Sequence, residues 1–153
     1  MPHRLLLIND FEGLSREVIQ SYQLFDTSIA PTTILYREGA EVPQSISAEC
    51  EAKAVKLVPL KESTPEAVLT FCADAGLMSL FIEGGAGLYN SFINADCVDR
   101  YSLFYGPKLI GSNQALELWQ ESPIEVLADA PEIEIKEMEA VAESFFISAD
   151  RRR

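Results

Sequence analysis

The sequence holds a single histidine, His3, and only three cysteines, Cys50, Cys72 and Cys97, each alone in an apolar or mixed segment. A structural zinc site needs several close ligands and a disulfide framework needs paired thiols, so both are set aside. The cysteines read as buried structural thiols. Basic residues are scarce as well: 12 Lys and Arg face 24 Asp and Glu, for a formal charge of -12. Nucleic acid, which must be neutralised by Lys and Arg, is therefore a poor partner. The cluster Arg151, Arg152 and Arg153 reads as a solvated tail. Long apolar runs are missing too, since no segment approaches the roughly 18 consecutive apolar residues of a membrane span. The start, "MPHRLLLINDFEG", has a short apolar core followed at once by Asn9, Asp10 and Glu12, unlike a secretory signal. A soluble, cytoplasmic protein is expected.

What is present is ordinary globular composition, with 48% apolar and 24% charged residues. A chain of 153 residues is long enough for one compact domain with a real core, and one domain over residues 1–153 is expected. His3 to Ile8 reads as a short strand closed by Asn9, Asp10 and Gly13. Leu14, Val18, Tyr22 and Phe25 recur at helical spacing. "PTTILY", from Pro31 to Tyr36, is a β-branched strand candidate, residues 38–53 read as a polar loop, and "AVKLVPL" from 54 to 60 as another strand. Ser63 and Thr64 offer a helix cap, Pro65 suits the first turn, Glu66 points to a capping box, and Val68, Phe71, Cys72 and Ala75 make an apolar face before Gly76.

"LMSLFI", 77–82, is a continuous apolar run of the kind found in strands covered on both faces. After Gly84 and Gly85, Leu88, Phe92 and Ala95 share a helical face, and "DRYSLFY" from Asp99 to Tyr105 supplies a further strand. This alternation argues an α/β fold in three layers with a mainly parallel sheet. "IEIK" from 133 and "ESFFIS" from 143, with no helix between them, add an antiparallel C-terminal strand pair.

In such sheets ligands bind beyond the carboxyl ends of strands, where loops meet helix amino termini. Glu83 stands at that place, and after so apolar a run its carboxylate is expected to be partly buried and in need of donors. Gly84, Gly85 and Gly87 leave the backbone bare, and a helix starting near Ala86 aims free N–H groups at whatever arrives. A phosphate or pyrophosphate fits. Spacing alone keeps two readings open, a phosphate cradle and a merely tight corner, because Gly85-x-Gly87-x-x-Asn90 carries only two glycines of the dinucleotide fingerprint.

The stretch "LFIEGGAGLYNSFINADCVDRYSLFYGPKLIGS", Leu80 to Ser112, resembles the reductase domain at the carboxyl end of the bifunctional riboflavin-biosynthesis deaminase/reductase, a relative of dihydrofolate reductase. It joins the Glu-Gly-Gly turn, the helix, the Val98-Asp99 strand start and Pro107-Lys108-Leu109-Ile110-Gly111. "HRLLLIND", "PTTILY" and the closing strand pair follow in the same order. The resemblance implies a dihydrofolate-reductase-like fold and hydride transfer from NADPH that reduces the ribosyl group of 5-amino-6-(5-phosphoribosylamino)uracil to ribityl. It implies Glu83 as a substrate contact and Gly84, Gly85, Ala86, Gly87, Leu88, Tyr89, Asn90 and Ser91 as the cofactor cradle. It places a further cofactor contact at Asn9-Asp10, with Asp10 where the family usually has a hydroxyl. No metal and no catalytic nucleophile are implied, since the nicotinamide carries the chemistry.

The resemblance also implies that the first part of the family's domain, which begins well upstream of the residues matching His3, is lacking. The zinc-binding signature of the deaminase half is lacking too, so deamination is not expected. The alternative to a reductase is an inactive or incomplete nucleotide-binding module that needs upstream sequence or a partner chain, a homodimer through the tail strands being the simplest version. Lys108 reads as a surface-loop lysine, and Trp119, Tyr101, Phe104 and Tyr105 as core or dimer surface.

Overall fold

The computed structural model describes residues 2–109, 111 and 124–152. Its contacts divide the chain into two compact units, Met1–Met78 and Ser79–Arg153, each described by itself. Expectations that fall on Ile110, Ser112, Trp119 and Arg153 lie outside the described residues.

The first unit is a parallel three-stranded sheet. Its strands are β1 (Arg4–Ile8), β2 (Thr32–Arg37) and β3 (Lys56–Leu60), ordered β1-β2-β3 with Leu6 opposite Ile34 and Ile34 opposite Leu57. The crossovers are α1 (Arg16–Ser21) with a 3-10 turn at Gln23–Phe25, and α2 (Gln44–Ala52). Both send their apolar residues to one cluster: Ile19, Phe25, Ile46 and Cys50 meet Ile34 there, with Leu6, Ile8 and Leu57 packed around them. Two consecutive crossovers on one face of a parallel sheet follow from the shared right hand of βαβ units. β2 takes the middle because "TTILYR" is β-branched and apolar, and its Thr33, Ile34 and Leu35 are fully buried.

The helix expected across Leu14 to Phe25 is shorter and broken. Ser15 caps α1, its Oγ accepting from the Val18 N–H at 3.3 Å, but Tyr22 turns extended and is exposed, so the apolar periodicity continues in a 3-10 turn. α2 corrects the reading of 38–53 as a loop. Only Ile46 and Cys50, four residues apart, become buried, and that weak a stripe is invisible among Gln, Ser and Glu until the sheet supplies a surface. α3 (Pro65–Asp74) forms as expected, with Thr64 Oγ1 accepting from Ala67 N–H at 3.3 Å. Glu66 lies one residue too early to close a capping box and instead places its charge at the helix's positive end. Gly76, at φ +72°, ends the helix, with the Leu77 N–H returning to the Cys72 carbonyl at 2.8 Å.

The expected strand at 77–82 is absent. The stretch has no regular structure, no strand among the described residues pairs with it, and Met78 and Phe81 are 97% and 72% exposed. An apolar run becomes a strand only where a neighbour accepts its backbone groups, and pattern alone cannot supply one.

The second unit holds α4 (Ala86–Asn94) and an antiparallel sheet of β4 (Arg100–Tyr105), β5 (Ile133–Val141) and β6 (Ser144–Arg151), ordered β4-β6-β5. The C-terminal hairpin is as expected but longer, and β4, expected in the parallel sheet, pairs with β6 instead. Arg100 and Asp150 face each other across that pair at 2.6 Å, and the guanidinium holds the Asp150 carboxyl below its usual range. The arginine tail is also corrected. Arg151 closes β6, donates its N–H to the Asp99 carbonyl at 2.9 Å and pairs with Asp96, while Arg152 pairs with Glu132. Cys50 and Cys72 are buried as expected, whereas Cys97 is half-buried with its thiol on the Ala95 carbonyl.

Ile34→Ala, at the centre of the core cluster, should cost about 2–5 kcal/mol of unfolding free energy in urea melts, and Thr64→Ala about 1 kcal/mol through loss of the α3 cap.

Candidate functional site

The expected site falls on the link between an irregular segment and α4. Glu83 is exposed, contrary to the expectation of partial burial, because the run before it is not a covered strand. Gly85 is the N-cap of α4, with φ -82° and ψ 170°, a backbone any residue adopts, and lacks a side chain to cap the helix. Its carbonyl takes the Leu88 and Tyr89 N–H groups at 3.1 and 3.3 Å. The Ala86 and Gly87 amides find no acceptor among the described residues. A helix end of this kind carries partial positive charge and unpaired donors, which suits an anion.

The three glycines are not equivalent. A Cβ on Gly84 would meet Leu88 Cδ2 at 2.9 Å, the tip of a side chain that can turn aside. A Cβ on Gly85 or Gly87 would meet nothing, and Gly85 has no conformational need to be glycine either. That bare backbone with two free amides fits a phosphate of a nucleotide cofactor.

The other cradle candidates sit differently. Tyr89 Oη accepts the Gly84 N–H at 3.1 Å. Ser91 turns its hydroxyl back to the Leu88 carbonyl at 2.7 Å, Asn90 is buried, and Leu88 covers Gly84. Asp10 belongs to the first unit. Its Oδ1 accepts from the Glu12 N–H at 3.0 Å, an Asx turn that shapes its own loop, and it lines an open depression of about 400 Å³ with Leu6, Ile8, Asn9, Gly13 and Leu14. Lys108 is exposed, as expected of a loop lysine.

Several polar contacts escaped sequence reasoning because their partners are remote in the chain. His3 Nε2 meets Thr33 Oγ1 at 2.9 Å, and the Arg4 guanidinium donates to the Gln23, Leu24 and Asp26 carbonyls, closing the 3-10 turn. The Tyr89 to Gly84 bond joins residues five apart, a spacing that no helix pattern flags. Burial pushes the Cys50 and Cys72 thiols up, away from thiolate character. No cluster of three metal-binding side chains occurs among the described residues.

A parallel sheet with one-sided crossovers, followed by a glycine turn opening a helix and by an antiparallel sheet, defines a mixed α/β protein of the dihydrofolate-reductase-like class. The chain matches over 99% of its length a deaminase/5-amino-6-(5-phosphoribosylamino)uracil reductase of Thermotoga maritima, with a TM-score of 0.70 at 18% identity and 38% of that chain covered. It matches Saccharomyces Riboflavin Biosynthesis Reductase Rib7 over 99% of its length, with a TM-score of 0.62 at 13% identity and 71% covered. More particularly, the chain belongs to the RibD C-terminal domain family, whose model matches residues 14–147. The riboflavin biosynthesis protein RibD of Bacillus amyloliquefaciens is 28% identical over 123 residues, which are 78% of this chain and 32% of that protein. RibD of Haemophilus influenzae is 38% identical over 65 residues, 42% of this chain and 17% of that protein. The chain thus spans about a third or less of the length of these curated RibD relatives.

Because neither space nor backbone demands glycine at 85, Gly85→Ala should leave the melting temperature within a few degrees of the parent chain, read by circular dichroism.

Proposed function

We propose that this chain is the NADPH-dependent reductase of riboflavin biosynthesis, converting 5-amino-6-(5-phosphoribosylamino)uracil to its ribitylamino product. Family membership across residues 14–147 supports the reaction class, and the open-faced Gly85 and Gly87 ahead of the α4 amides are the observation that carries the cofactor. When bound, NADPH supplies the hydride that turns ribosyl into ribityl. The Ala86 and Gly87 amides hold a cofactor phosphate, and Gly84 to Ser91 shape that cradle around the start of α4. Glu83, exposed beside the turn, contacts the substrate. The family resemblance proposes Asp10 as a further cofactor contact. With one Oδ tied to Glu12 N–H, it has its second oxygen to accept from a sugar hydroxyl.

A homodimer in the cytoplasm completes this reading. The antiparallel sheet is the candidate surface for it, since Tyr105, Ile135, Met138 and Phe145 are exposed there. A second reading, an incomplete nucleotide-binding module that needs another segment or chain, is favoured by the apolar run at 77–82, which pairs with no strand among the described residues.

Purified chain mixed with NADPH and the phosphoribosylamino-pyrimidine distinguishes the two: loss of NADPH absorbance supports the reductase, and cofactor binding without turnover supports the module. Gly85→Val should weaken NADPH binding about tenfold or more, the worth of one charge-assisted hydrogen bond, at unchanged stability. Unchanged affinity in a calorimetric titration would sink the cradle. Glu83→Ala should raise the substrate KM while leaving the cofactor Kd alone.

A further inference from the structure

We infer that the Tyr89 hydroxyl is a latch that holds the Glu83–Gly84 peptide in front of α4, making Tyr89 a positioning residue for the ligand site. The latch stands on geometry; what it positions rests on the reductase reading.

The helix has no capping side chain of its own, since its N-cap is Gly85. Tyr89, the fourth residue of α4, reaches back over that bare start and accepts the Gly84 N–H at 3.1 Å. The span needs a long side chain, and a phenol provides one with only two rotatable bonds to immobilise. Its helical neighbour Leu88 closes on the same glycine, with Cδ2 at 2.9 Å from where a Cβ would stand. Gly84 is thus held by the Tyr89 hydrogen bond with the tip of Leu88 beside it, while a Cβ on Gly85 or Gly87 would meet nothing.

The Gly84 N–H belongs to the peptide plane it shares with Glu83, so fixing that N–H also fixes the direction of the Glu83 carbonyl. The place from which the Glu83 side chain sets out is thereby tied to the helix whose amides face the ligand. A phenol that accepts one hydrogen bond keeps its own O–H to donate. Among the described residues none takes that proton, which leaves it for an anionic oxygen of a ligand.

Tyr89→Phe keeps the ring and removes the latch. In the ligand-free chain, amide hydrogen exchange at Gly84 should speed up about tenfold, while the melting temperature stays within a few degrees of the parent. With ligands added, the NADP+ Kd and the substrate KM should each rise roughly fivefold, the usual worth of one hydrogen bond. Unchanged Gly84 exchange overturns the latch. Faster exchange with unchanged Kd and KM overturns the positioning role. If the parent chain binds neither ligand, the reductase reading falls, and Gly84 exchange still decides the latch.

Discussion

The first unit depends on the double pairing of β2. Each of its residues from Thr33 to Tyr36 has a partner on both sides, β1 and β3, so the chain must place its most β-prone, most apolar segment there. That demand sends both crossovers to one face, where Ile19, Phe25, Ile46 and Cys50 close over Ile34. It also leaves β1, four aliphatic residues behind a single arginine, at an edge of the parallel sheet. β3 at the opposite edge carries Pro59, which cannot donate to a further strand, whereas β1 has no such guard.

At the glycine turn, a Cβ on Gly84 would meet only the tip of Leu88, and one on Gly85 or Gly87 would meet nothing. A sequence cannot separate these cases, because glycine reads the same whether a neighbour or a ligand excludes the side chain. Open space at Gly85 and Gly87 is compatible with a ligand cradle and with a tight corner alike, and the free donors at this turn are backbone amides.

Much of the fold was legible where local chemistry suffices. Thr64 and Pro65 announced α3, Gly76 its end, and the alternation around Ile34 and Leu57 two of the strands. The failures share a cause, which is that the deciding partner is distant. α2 shows two buried residues in nine and depends on a sheet to recognise them; 77–82 has the pattern of a strand and joins no ladder among the described residues; β4 matches a parallel strand in sequence and finds β6 instead. The tail arginines looked solvated because Asp96, Asp99 and Glu132 are far away in sequence. Of the site, residue types and order were legible through Glu83 and the glycines, while the Tyr89 bond and the exposure of Glu83 required the backbone path.

The order β4-β6-β5 has a temporal meaning. The middle strand of the antiparallel sheet comes after both of its neighbours in the chain, so β4 and β5 share no ladder until β6 arrives between them. On a ribosome, the parallel sheet has all its strands once Leu60 has emerged, whereas the second sheet waits for Ser144–Arg151. Local contacts form early and distant ones late. The strand order therefore makes the second sheet depend on the last strand of the chain, whereas the parallel sheet is complete in sequence by Leu60.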